Sequence, residues 1–156
     1  MSTNHSMQND PAIAKQPNRA ELVRQELRCF SGTEEWHRHP GLFRLPILLT
    51  DGAKFVAEKC GPDDTHGAYW LMDVIASYQG EKCLARHEFQ TWKLTIHLPD
   101  ESNPSRRGTV TCFDGDKQLV RQEIEYSDFI LDDGITLYAS VEGDPCSVII
   151  LLPSEY

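Results

Sequence analysis

The chain reads as an α+β protein, with about three N-terminal helices packed on one face of a C-terminal, mostly antiparallel five-stranded sheet. Three features predict this. Apolar residues recur with a helical period through the first half. From Glu88 onward the period changes to two. Glycine-centred turn signals then divide the second half: Asp114-Gly115, Asp132-Asp133-Gly134 and Gly143-Asp144-Pro145.

The first helix is expected over residues 19–30. Asn18 is placed to cap it, Glu21 completes a capping-box pattern, and Val23, Leu27 and Phe30 share one face. Residues 42–49 are apolar but contain Pro46, which suits a short edge strand or an extended segment. A second helix follows, capped by Thr50 or Asp51 and running to Cys60 before Gly61-Pro62 stops it. The third helix, residues 68–79, is the clearest, with Leu71, Val74, Ile75 and Tyr78 at i, i+3, i+4 and i+7.

Strands are expected over residues 90–97, 109–113, 118–126, 135–141 and 146–152, mostly in sequential order. In the first of these, Trp92, Leu94 and Ile96 point inward. The second and third form a hairpin around Asp114-Gly115, with Val120, Ile124 and Tyr126 facing the core. Residues 1–17 are polar and lack an apolar signal-peptide core, so they read as a flexible tail before a single domain at 18–156.

Composition narrows the function classes. No apolar run approaches 18 residues, so no membrane helix is expected and the cytoplasm is the default compartment. The five cysteines, Cys29, Cys60, Cys83, Cys112 and Cys146, are widely spaced, which argues for reduced thiols and against a zinc knuckle. The net charge of −9 is uneven. Residues 1–99 hold 12 acids and 11 bases, whereas residues 100–156 hold 12 acids and 4 bases, a net of −8. Such a surface repels phosphate backbones, disfavours direct nucleic-acid binding and attracts a basic protein.

Candidate chemistry is sparse. The loop of residues 32–40, from Gly32 to Pro40, concentrates Glu34, Glu35, His37 and His39 around Trp36. Two imidazoles two residues apart on an extended chain point the same way, and with Asp73 they could line a metal site or a catalytic cleft. The opposing reading is a surface loop anchored to the core by Trp36. Cys83 and His87 form a weaker nucleophile candidate. Glu123 and Glu125 suit a solvated strand face better than acid–base work. No catalytic residue, cofactor or metal site is assigned on these grounds.

Several strings carry a family resemblance: Gly32-Thr33-Glu34 with Trp36 and His39; Thr50-Asp51-Gly52; Gly67-Ala68-Tyr69-Trp70-Leu71 with Asp73; Phe89-Gln90 with Trp92; Cys112 with Asp114-Gly115; and the terminal Leu152-Pro153-Ser154-Glu155-Tyr156. Together they resemble the bacterial family called domain of unknown function 6876. The resemblance implies carriage by phages, plasmids and integrated elements. It also implies an aromatic residue where this chain has His37, which weighs against a paired-histidine metal site.

The charge pattern and this resemblance lead to one expectation: a non-enzymatic protein that binds and inhibits a host nucleic-acid-handling defence system, of anti-CRISPR or anti-restriction type. Its partner would present a basic surface to Asp114, Asp116, Glu123, Glu125, Asp128, Asp132 and Asp133. The alternatives are a small enzyme or metal-binding protein built on the 32–40 loop, and a self-associating module.

Overall fold

The computed structural model describes residues 18–156, so the tail expected at 1–17 lies outside the described residues. Among the described residues there are three α-helices: α1 (Arg19–Leu27), α2 (Asp51–Lys59) and α3 (Tyr69–Ser77). Seven strands follow the chain as β1 (His37–Arg38), β2 (Ile47–Leu49), β3 (Phe89–His97), β4 (Arg107–Asp114), β5 (Lys117–Ile124), β6 (Ile135–Glu142) and β7 (Ser147–Leu151). They form one mixed sheet in the order β1-β2-β7-β6-β3-β4-β5. None of these helices is long and apolar enough to cross a membrane.

The α+β class stands and the sheet is mostly antiparallel, but it has seven strands, not the expected five, one pairing is parallel, and the mostly sequential order breaks after β5. β3, β4 and β5 are a simple antiparallel meander. The chain then returns to the opposite side of β3, where β6 pairs antiparallel. β7 pairs with β6, and β2 joins β7 in parallel. β1 extends that edge by two residues. Pro46 precedes β2 and still serves the sheet, because its carbonyl accepts from Val148 N at 2.9 Å.

Local chemistry explains most boundaries. Asn18 Oδ1 accepts from Glu21 N at 2.9 Å and starts α1. α3 tightens into a 3₁₀ turn at Tyr78–Gly80. At the β4–β5 hairpin, Gly115 adopts φ +58°. A bulge near Leu119 lets Cys112 face Val120 while Phe113 faces Gln118.

Alternation on β3 buries Gln90, Trp92, Leu94 and Ile96. The apolar side chains of this face join Val110, Cys112, Leu137, Ala139, Val148 and Ile150 in one core with Val23 of α1, Val56 of α2 and Leu71 and Ile75 of α3. Two aromatic expectations fail. Tyr126 is 68% exposed, because β5 ends at Ile124 and Ser127 N turns to Arg106 O at 2.9 Å. Trp36 is 54% exposed and lies outside the core cluster. The loop is held by polar bonds instead.

Gly134 enters β6 at φ +72°, and a Cβ there would collide with the Leu94 carbonyl oxygen. Both the dihedral and the close approach require glycine. Gly134→Ala is therefore expected to lower the unfolding free energy by about 3 kcal/mol, read as a lower urea midpoint.

Candidate functional site

Three of the resemblance strings, around Thr33, Thr50-Asp51-Gly52 and Leu152–Glu155, converge at the N-terminus of α2. A helix start exposes amides that need acceptors. Here each is taken by protein. Thr50 N donates to Ile150 O at 3.1 Å, and Asp51 N to Thr33 Oγ1 at 2.9 Å. Gly52 N donates to Glu155 Oε2 at 2.9 Å, and Ala53 N to Thr50 Oγ1 at 3.1 Å. Glu155 Oε1 also accepts from Thr50 Oγ1 at 2.6 Å and from Leu152 N at 2.9 Å. A Cβ on Gly52 would lie 2.5 Å from Glu155 Oε1, so glycine leaves room for the carboxylate. The carboxylate also complements the positive end of the helix dipole.

Asp51 extends the junction to the 32–40 loop. Its Oδ2 accepts from Glu34 N at 2.9 Å, and its Oδ1 meets His37 Nε2 at 2.7 Å. The Glu34 amide foremost, and then His37, hold the Asp51 carboxyl below its ordinary value.

His39 takes a separate partner. Its Nε2 lies 2.7 Å from Asp73 Oδ1 on α3. The ring stacks against Phe43 at 5.8 Å and Tyr69 at 6.1 Å. The residue is only 3% exposed, and its Nδ1 is buried without a hydrogen-bond partner. With Nε2 committed and Nδ1 shut from solvent, this imidazole offers no free nitrogen to a substrate, although it sits in a His–carboxylate pair. His37 and His39 share one side of the chain, as their spacing requires, yet reach different carboxylates. The side chains of Glu34 and Glu35 are not drawn in with them: both residues are exposed. Among the described residues no three His, Cys, Asp or Glu side chains gather closely enough to hold a metal.

The Phe89-Gln90-x-Trp92 string has a similar internal role. Buried Gln90 accepts from Gln79 Nε2 and Trp92 Nε1, each at 2.9 Å. Its own amide donates to Gln79 Oε1 at 3.1 Å and His87 O at 3.0 Å. Such a fully paired amide can be buried without the penalty of an unmet polar group. Cys83 does not meet His87 as a partner; His87 Nδ1 instead pairs with Asp114 Oδ2 at 2.6 Å. All five thiols are free, and burial pushes those of Cys60 and Cys112 up to about 12.

Of the seven acids proposed from sequence, Asp114, Asp116, Glu123, Glu125 and Asp128 lie on or beside the β4–β5 edge, whereas Asp132 and Asp133 lie in the connection that leads into β6. Asp114 and Asp116 flank the turn at one end of β5, and Glu123, Glu125 and Asp128 lie at the other. An eight-residue strand separates these ends by roughly 25 Å. Four acids have basic neighbours: Asp114 with His87, Glu123 with Arg121 at 2.8 Å, Asp132 with Arg106 at 2.8 Å and Asp133 with Arg24 at 3.1 Å. Thr109 first, and then Arg121, lower the Glu123 pKa. Among the described residues Asp116, Glu125 and Asp128 make no ion pair. The acids therefore form two clusters and a paired connection, not a continuous row.

The architecture defines a small α+β protein whose specific polar residues are spent on joining its own elements. The chain belongs to the family of unknown function DUF6876, whose model matches residues 21–156. Neither a curated protein nor a solved structure is significantly similar to it.

Glu155→Ala would strand the Gly52 and Leu152 amides and is expected to cost about 2 kcal/mol in chemical denaturation. A Thr50→Ala, Glu155→Ala double-mutant cycle should show marked non-additivity. The depressed Asp51 pKa contributes stability that is present above the unfolded value of about 3.9 and lost as pH falls through the lower folded value. In urea titrations across this range, the advantage of wild type over Asp51→Asn should shrink below about pH 4.

Proposed function

We propose that this chain acts by binding, and that its acidic outer edge docks on a basic protein surface in the cytoplasm. The observation that carries this reading is the charge asymmetry, a net of −8 over residues 100–156 against −1 over residues 1–99. Among the described residues Asp116, Glu125 and Asp128 have no ion-pair partner, which leaves them for an external one. Asp114, Glu123, Asp132 and Asp133 can exchange exposed internal pairs for intermolecular ones, since such pairs are weakly held.

The partner class follows from the chemistry that would recognise this edge. A protein groove lined by lysine and arginine for DNA or RNA would accept carboxylates in place of phosphates. A nucleic-acid-handling subunit of a host defence system, CRISPR or restriction, fits this description. Carriage on mobile elements, which the family resemblance implies, would supply the biological reason for inhibiting it. The expected mode is stoichiometric blockade, with no bond made or broken.

Affinity capture from the natural host should recover a basic nucleic-acid-handling protein whose retention weakens as salt rises. Replacing Asp116, Glu125 and Asp128 together by lysine should reduce its binding at least tenfold, with the far-UV spectrum unchanged. Undiminished binding by a folded triple variant would rule out the electrostatic mode.

A further inference from the structure

The two edges of the sheet differ sharply. One ends in the two-residue β1, whereas the other is the eight-residue β5. Among the described residues, no backbone hydrogen bond runs from β5 to any segment beyond its partner β4. An unpaired edge of this length is a template for another strand. The bulge near Leu119 and the end of the strand at Ile124 confine its regular part to Val120-Arg121-Gln122-Glu123-Ile124.

That stretch is self-complementary about Gln122. When two copies pair antiparallel with Gln122 opposite Gln122, each Arg121 faces the other copy's Glu123. Each Val120 then faces the other copy's Ile124. Opposed residues of an antiparallel pair share a face. Arg121 and Glu123 are more than half exposed on the open face. Val120 and Ile124 lie on the face that carries the core. Within one copy Arg121 already pairs with Glu123 at 2.8 Å, and Glu123 also accepts from Thr109 Oγ1 of β4 at 2.9 Å, so pairing between copies exchanges these exposed contacts for equivalent ones across the seam. A one-residue slip would place Val120 and Ile124 of one copy on the wrong face of the other.

We infer that β5 is a homodimer edge, and that two copies join through it about a two-fold axis at Gln122 into one continuous fourteen-stranded sheet, twice the seven of each copy. The occupant is a second copy of this chain because the pattern matches itself twice over, as an isologous contact requires. Asp116 and Asp128 fall outside the paired stretch. Antiparallel pairing brings the Asp114–Asp116 turn of one copy near the Glu125–Asp128 segment of the other, at each end of the seam. Salt near 0.15 M, with a screening length of about 8 Å, moderates that repulsion.

The inference does not depend on the proposed partner and is tested on purified full-length protein by sedimentation velocity. Wild type should sediment as a dimer at a concentration on the order of 100 μM. Arg121→Glu places acids opposite acids at both pairs, and Glu123→Arg places bases opposite bases. Each variant alone should weaken dimerisation at least tenfold. Mixed in equal amounts, the two should form a heterodimer. The acid introduced in one copy then faces the base introduced in the other, and the remaining native Glu123 faces the remaining native Arg121. Heterodimer formation also shows that both variants are folded. A monomeric wild type, a dimer insensitive to both substitutions, or a mixture that stays monomeric would each overturn the inference.

Discussion

The Glu155 carboxylate on the N-terminus of α2 is the contact on which the other polar ties depend. One oxygen takes the Thr50 hydroxyl and the Leu152 amide, and the other takes the Gly52 amide. The last residues after β7 thereby become the acceptor that the start of α2 lacks. Charge-assisted bonds of this kind are stronger than neutral ones, and the helix dipole adds to them. The same helix start receives Thr33 and sends Asp51 back to Glu34 and His37. Three segments distant in sequence are thus fixed to one another within a single turn of helix. With the first amides of α2 already satisfied, this end has no vacancy for a phosphate or carboxylate ligand.

The other ties repeat this logic at shorter range. His39 joins the loop to α3 through Asp73, and the Phe43 and Tyr69 rings enclose it. Gln90 joins β3 to the turn after α3. These residues look like chemistry in a linear reading because they are histidines, carboxylates and amides in short strings. Their partners give them a structural role, since Asp51, His39 and Gln90 each tie one element to another. A residue specified for folding and one specified for catalysis can carry the same side chain; what separates them is whether a reactive atom stays open to solvent.

Much of the fold is legible in the sequence because periodicity reports burial. β3 buries the face that its spacing marks, α3 buries Leu71 and Ile75 of its expected stripe with Met72 and Ala76 while Val74 and Tyr78 are half-buried, and the Asp114-Gly115 turn sits where the hairpin needs it. What periodicity cannot encode is which strand a distant strand joins. β6 returns to β3 and β2 joins β7 through contacts far apart in sequence, and a two-residue β1 has no period at all. Tyr126 escapes the alternation rule because it lies two residues beyond Ile124, where the pairing ends. At the candidate site, the meeting of His39 with Asp73 is visible as a combination of residues. The Glu155 clasp is visible only as a terminal string. Its partner lies over 100 residues away, and nothing in the spacing announces it.

The edges of the sheet then acquire a simple rationale. At the β1 edge the polar junction already consumes the available side chains, and the strand is too short to template another. At the β5 edge the backbone stays open, and protection must come from side chains. A charged open face and a bulge are common means of refusing arbitrary strands. Arg121 and Glu123 add selectivity, because a strand that sets a base opposite Arg121 or an acid opposite Glu123 meets like charges. The acidic turns beyond them act at longer range, where net charge sets which surfaces approach at all. Contact specificity at the centre of β5 and electrostatic steering at its ends are therefore distinct properties of one edge, with Glu123 the residue common to both proposals. On the two proposals, the centre of β5 would pair with a second copy while Asp116 and Asp128 beyond it would remain for a basic protein.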